Sequence, residues 1–370
     1  MATRATYLDW NANAPMRPEV AGAVSAALRL CGNPSSVHGF GRRARQAVNR
    51  AREAVAALVN AAPEDVVFTS GGTEANSLAL RAFSDRRVIV SAIEHESVLA
   101  AAREAARLPV SRDGVVDLGA LERGLVSDPR PALVSVMVAN NETGAIQPVA
   151  EAARIAHQHG ALFHCDGVQG PGQIPVDFRA IGADLLTISA HKIGGPMGVG
   201  ALIVRDGLPL LPLIKGGGQE RMRRGGTENF LGIVGFGAAA LLAAETEARQ
   251  NMTRLRDEAE RRLCDIAPDA TVFAHAVPRL PNTLCVAMPR VAAATQLIAL
   301  DLAGVMVSAG AACSSGKVAR SHVLDAMGVP REAADCAIRI SLGWSTSAAE
   351  IDHLVEAWGA LYARTRASAA

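Results

Sequence analysis

A chain of 370 residues, 49% of them hydrophobic, is long enough to bury the core of one large domain and a second, smaller one. Its 37 lysines and arginines stand against 36 acidic residues, and the formal charge of +1 gives no overall field to gather nucleic acid or anionic lipid, so any anion must be held by a local site. No stretch approaches the roughly 20 apolar residues that span a bilayer, and MATRATYLDWNANAP carries neither a secretory apolar core nor a lipidation motif, so no membrane association and a cytoplasmic location are expected.

From about residue 40, helical stretches alternate with short apolar runs. GRRARQAVNRAREAVAALVN reads as an amphipathic helix, VVFTS as a strand, TEANSLALRAF as a helix, RVIVSA as a strand and SVLAAAREAAR as a further helix. PALVSVMVA, ALFHCDG, ADLLTISA and ALIVRD continue the strand series, several apolar enough to be covered on both faces. The pattern predicts a mostly parallel α/β sheet with helices on both sides. After KGGGQERMRRGGTEN comes a long Ala-rich helical region, and then NTLCVAMP, VMVSAG and AIRISLG as strands of a smaller α/β unit. Ser347 and Glu350 have capping-box spacing ahead of the last helix. Six cysteines (Cys31, Cys165, Cys264, Cys285, Cys313 and Cys336) lie far apart without a C-x-x-C pair, which argues against a disulfide framework and a zinc site and predicts separate, mostly buried thiols.

Ligands of open parallel sheets collect beyond the carboxyl ends of the strands, and the loops there are polar. Gly71-Gly72-Thr73-Glu74 follows VVFTS and opens a helix, which suits an anion, although a Gly-Gly turn also serves plain chain reversal. Ser189-Ala190-His191-Lys192 follows ADLLTISA; the lysine could supply a Schiff-base amine or be a solvated loop residue. Asp166, ending ALFHCD, could pair with a protonated pyridine nitrogen or cap a helix, and Gln169 could reach the phenolic oxygen of the same ring. His95 and the Asn140-Asn141-Glu142-Thr143-Gly144 turn occupy further strand-end loops, where such residues are often structural.

Cys313, in Ser308-Ala-Gly-Ala-Ala-Cys313-Ser-Ser-Gly316, has the small neighbours a swinging nucleophile needs, with Lys317 and Arg320 near enough in sequence to favour a thiolate; close packing of small residues is the alternative. Arg339 in AIRISLG needs a carboxylate if buried, from a substrate or from a structural Asp or Glu. No resident metal site is visible: Glu94, His95 and Glu96 lack H-E-x-x-H spacing, and His157 and His159 are two apart on a helix.

In this order the motifs GNPSSVHGFG (32–41), FTSGGTEAN (68–76), EHESV (94–98), NNETG (140–144), HCDGVQ (164–169), SAHKIGGPMGVG (189–200), GGGQERMRRGGTEN (216–229), AACSSG (311–316) and RISLG (339–343) resemble the NifS/IscS-type cysteine desulfurases. These are class V aminotransferase-like enzymes of pyridoxal-phosphate (PLP) fold type I, and the resemblance runs from Tyr7 to about Ile351. It implies a large domain over 16–245, with a mostly parallel sheet of the seven-stranded type, and a smaller α/β domain made of 1–15 and 246–370 that carries the cysteine loop.

The resemblance makes Lys192 the Schiff-base lysine, Asp166 the pyridinium partner, Gln169 the phenolic-oxygen partner and His95 the residue stacked on the ring. It assigns the phosphate to Gly72, Thr73, Ser189 and His191, with Thr227 contributed by the second subunit of a homodimer, and the substrate carboxylate to Asn141 and Arg339. Cys313 would carry sulfur from L-cysteine as a persulfide, leaving alanine, and pass it to an acceptor protein such as an iron-sulfur scaffold, with a nascent cluster as a transient ligand of the same thiol. Asn13-Ala14 stands where the family has a threonine pair, Met197 replaces a lysine, and Gly167 and Gly170 replace alanines. Selenocysteine lyase is the nearest rival reading, disfavoured by the nucleophilic cysteine of AACSSG. A sulfur carrier or assembly partner with little catalysis of its own is disfavoured by the intact Lys192, Asp166, His95 and Arg339.

Overall fold

The computed structural model describes residues 5–243, 246–309 and 320–367, so Cys313, Lys317 and the rest of 310–319 lie outside the described residues. Twelve strands occur in chain order among them: β1 (Thr6–Tyr7), β2 (Val66–Thr69), β3 (Arg87–Ser91), β4 (Ala106–Leu108), β5 (Ala132–Ser135), β6 (Leu162–Asp166), β7 (Leu185–Ser189), β8 (Gly200–Val204), β9 (Thr271–Val272), β10 (Thr283–Ala287), β11 (Val305–Met306) and β12 (Ala337–Ser341).

Seven of them form one sheet in the order β2-β8-β7-β6-β5-β3-β4. Strand β8 runs antiparallel to both its neighbours and every other pairing is parallel. The expected mostly parallel α/β sheet is thus present. Its central strands are buried along their whole length, which is why they read as unbroken apolar runs rather than as alternation. Successive residues nevertheless serve opposite faces. Phe68, Val134, Phe163 and Ile203 join the core under the helices Gly39–Leu58, Val149–Gln158 and Phe230–Leu242. Val67, Leu133, Leu162 and Leu202 join the core under Gly72–Arg81.

A three-stranded antiparallel sheet, β12-β10-β9, packs with the helices Thr246–Ile266, Ala293–Leu302 and Ala348–Ala367 around Trp358, and β1 pairs in parallel with β11. The last helix is capped as its spacing predicts: Ser347 N–H donates to Glu350 Oε2 at 2.8 Å and Glu350 N–H to Ser347 Oγ at 3.4 Å. No single helix among the described residues is long and apolar enough to cross a membrane.

One helical expectation needs correction. SVLAAAREAAR is helical only over Glu96–Ala101, after which Ala106–Leu108 pairs with the sheet edge at β3; strand pairing overrides the helix propensity of alanine. The Ala-rich region is two helices, Phe230–Leu242 and Thr246–Ile266. Of the described cysteines, Cys165, Cys285 and Cys336 are buried, Cys264 is half-buried and Cys31 is exposed.

Candidate active site

The carboxyl ends of β2, β6 and β7 bring the predicted loops to one place. Gly71 turns the chain from β2 into the helix Gly72–Arg81 at φ 152° and ψ −179°, a conformation that essentially only glycine adopts. The first N–H groups of that helix have no intrahelical acceptor and are available to an anion. Gly72 lies so close to the loop after β6 and to β7 that a Cβ would come within 2.9 Å of Val168 Cγ2 and 3.8 Å of Ser189 Cβ. Ser189 Oγ and His191 Nδ1 are 2.9 Å apart, and burial lowers the His191 pKa to about 4, leaving a neutral ring.

Asp166, at the end of β6, is buried, and both its donors are neutral: Asn76 Nδ2 to Oδ2 at 2.7 Å and Val168 N–H to Oδ1 at 3.0 Å. The other hydrogen of the Asn76 amide goes to Ser97 Oγ at 2.9 Å. The Ser97 hydroxyl must then point its own hydrogen at His95 Nδ1, 2.8 Å away, which also accepts the Ser97 N–H at 3.1 Å. With Nδ1 occupied as an acceptor, the neutral His95 ring carries its proton on Nε2. Burial favours that neutral form, lowering the His95 pKa against the field of Asp166.

Lys192 closes the short 3-10 turn Ala190–Lys192 after β7. Its Nζ donates to the carbonyls of Asn11 and, at 2.9 Å, Ala12. Burial, with Arg339 acting in the same direction, lowers its pKa to about 8. Gln169 Nε2 donates to the same Asn11 carbonyl at 3.1 Å. Arg339, on β12, is buried; Nη2 meets Asp9 Oδ1 at 2.6 Å and Nη1 donates to the Asn141 carbonyl at 3.0 Å, while Nε has no partner among the described residues. The structural carboxylate that Arg339 requires is therefore Asp9. Thr227 is exposed on the segment after β8, and Arg320, at the edge of the cysteine loop, pairs with Asp325 at 2.5 Å.

Asn11, Asp9, Asn76 and Ser97 were not singled out by sequence. Asn76 and Ser97 lie within FTSGGTEAN and EHESV, two of the motifs that carry the family resemblance, and that was their only signal. The glycines that replace alanines near Asp166 are steric: a Cβ on Gly167 would meet Leu186 Cδ1 at 2.6 Å, and one on Gly170 would meet Val176 Cγ2 at 2.5 Å.

The family model of aminotransferase class-V matches residues 6–354, and the chain belongs to that family. It is 46% identical to a cysteine desulfurase of Cereibacter sphaeroides over 365 residues, 95% of this chain and 94% of that protein. It is 41% identical to the cysteine desulfurase IscS of Dictyoglomus turgidum, over 95% of this chain and 93% of that one. The crystal structure of a NifS-like protein from Rickettsia africae superposes with a TM-score of 0.89 at 37% identity, covering 97% of this chain and 99% of the other.

Enzymes of this family use PLP, and the donor set fits it. A buried carboxylate with only neutral partners suits a protonated ring nitrogen, a desolvated strand-end amine suits an aldehyde, and unpaired helix N–H groups beside Ser189 and His191 suit a phosphate.

Proposed function

We propose that this chain is a PLP-dependent cysteine desulfurase that moves the sulfur of L-cysteine onto Cys313 as a persulfide and releases L-alanine. The observation that carries the reading is the gathering at one end of the sheet of Lys192, its pKa lowered to about 8, with the buried carboxylate Asp166 and a histidine whose tautomer is fixed, near enough for their charges to act on one another. The names of the relatives support the substrate.

Bound PLP supplies the electron sink that lets the substrate's α-proton leave. Asp166 would hold the ring nitrogen protonated, Gln169 would meet the phenolic oxygen and His95 would cover the ring face. Gly72, Thr73, Ser189 and His191 would take the phosphate, together with the partner subunit's Thr227. Lys192 Nζ, neutral in a usable fraction near neutral pH, accepts the α-proton and returns it. Arg339 Nε, free of other partners among the described residues, donates to the substrate carboxylate beside Asn141. The thiolate of Cys313 attacks the substrate sulfur; the carbon–sulfur bond breaks with its electron pair left on carbon, and the Sγ–S bond forms on the enzyme. The small-residue run AACSSG suits a nucleophile that must also present its sulfur to an acceptor protein, for which an iron-sulfur scaffold in the cytoplasm is the proposal, with Cys313 a transient ligand of the nascent cluster.

The division into 16–245 and 1–15 with 246–370 is proposed on the same basis as the site. A homodimer is supported by the exposed Leu28, Phe40 and Leu241, which lie on or beside the helices Pro18–Ala27, Gly39–Leu58 and Phe230–Leu242. The test is release of alanine and sulfide from L-cysteine in the presence of a thiol reductant. Equal amounts of the two are expected, whereas a PLP-loaded enzyme that makes neither would overturn the reading. Cys313→Ala should keep the cofactor and lose persulfide formation, and continued sulfur transfer by that variant would remove Cys313 from its role.

A further inference from the structure

Glu74 is poorly placed for an anion site. It is the third residue of the helix Gly72–Arg81, within the first turn, where a carboxylate opposes the binding of a phosphate dianion at the same terminus. Its carboxylate is nonetheless fixed there, because Oε2 accepts the Ser70 N–H at 2.8 Å and so closes the turn that leads into the helix. Arg224, 150 residues further along the chain, meets it with two hydrogen bonds, Nε to Oε1 at 2.8 Å and Nη2 to Oε2 at 3.2 Å. The two side chains are only 19% and 15% exposed, so solvent screens the pair weakly. Burial pushes Glu74 upward, but hydrogen bonds from Arg224 and Ser70 outweigh it and hold the group below the usual carboxylate value, hence charged. The neighbouring Glu220 makes its hydrogen bonds to Arg52, whose guanidinium donates to both carboxylate oxygens at 2.6 and 2.8 Å, and it acts on Arg224, as Glu228 does, only through its charge, more weakly than Glu74.

We infer that Arg224 is a positioning residue for the cofactor's phosphate: by cancelling the charge of Glu74, it lets Glu74 brace the Ser70 turn without repelling the anion. The inference rests on the reading of Gly72 and Thr73 as the phosphate site. It differs from a direct Arg–phosphate contact in one respect, namely that the need for Arg224 disappears when Glu74 is made neutral.

The test is titration of the cofactor-free enzyme with PLP and, separately, with pyridoxal, which has the aldehyde but no phosphate, following the yellow absorbance that develops as Lys192 captures either one. The native enzyme should prefer PLP. Arg224→Gln should weaken PLP on the order of tenfold while leaving pyridoxal unchanged. Glu74→Gln alone should bind PLP at least as tightly as the native protein, and the double variant should regain the native affinity. Equal losses for the two ligands in Arg224→Gln would reduce Arg224 to a structural tie. No recovery in the double variant, or weaker PLP binding by Glu74→Gln, would overturn the inference even if Arg224→Gln fails to fold. A native enzyme with no preference for PLP would remove the phosphate reading itself, and the inference with it.

Discussion

Lys192 must be neutral to accept a proton yet sits where it can be charged, and the conflict is measurable. Its native pKa of about 8 lies below the ordinary 10.5, so below pH 8 the cofactor-free protein carries the full cost of a buried ammonium. Between about pH 8 and 10.5 the unfolded chain binds a proton that the native state does not, and stability rises with pH; above 10.5 the cost is gone. Urea titrations of the cofactor-free protein should show that rise, and Lys192→Met should flatten it. Equal slopes in the two proteins would mean that the amine is not desolvated. Asn76 is a second residue-scale case. Asn76→Ala removes a hydrogen bond to a buried carboxylate and frees Ser97 to turn from His95, so kcat should fall on the order of tenfold and the acid limb of the pH–rate profile should move. A profile that superposes on the native one would exclude the relay. Lys192 and Asp166 were legible in the sequence because strand ends are. Asn76 and Ser97 were not, because their hydrogen bonds close only once the sheet brings the carboxyl ends of β2, β3 and β6 to one edge. Arg339 illustrates the same limit: its need for a carboxylate was legible, but the one that answers it, Asp9, is 330 residues away along the chain.

Among the elements, the mostly parallel sheet was readable from unbroken apolar runs because parallel strands are covered on both faces. Edges were not: Ala106–Leu108 looks helical by composition and becomes a strand through its neighbour β3. The sheet also holds a polar tie that no periodicity reveals. His164 on β6 sits between Ser135 on β5, with Nδ1 to Oγ at 2.8 Å, and Thr187 on β7, with Nε2 to Oγ1 at 3.1 Å. Burial lowers its pKa to about 4. As pH falls below 6.5 the unfolded chain takes up a proton that the native ring refuses, so stability declines down to about pH 4 and levels off below it, with His191 contributing in the same sense. His164→Gln should reduce that acid-side slope in chemical denaturation experiments, and an unchanged slope would assign the loss to other groups.

For the whole molecule, Leu28, Phe40 and Leu241 are large apolar side chains left in water on a single chain, and their burial between two copies is the expected outcome. Phe40→Asp should shift sedimentation toward a monomer. If Thr227 serves the partner's phosphate, the same substitution should weaken PLP more than pyridoxal; a fully dimeric variant would place the interface elsewhere. The pairing of β1 with β11 has another consequence, for the time at which the site comes into being. The carbonyls of Asn11 and Ala12 that hold Lys192 belong to a segment fastened by Val305 and Met306, by Asn282 and Thr283, and by Ser341. On the ribosome, the first residues made must wait for residues 282–341 before these fastenings can form. A nascent chain halted before Asn282 lacks every one of these fastenings, so aldehyde capture in the native geometry is expected only after the strands of the second, smaller sheet have been made.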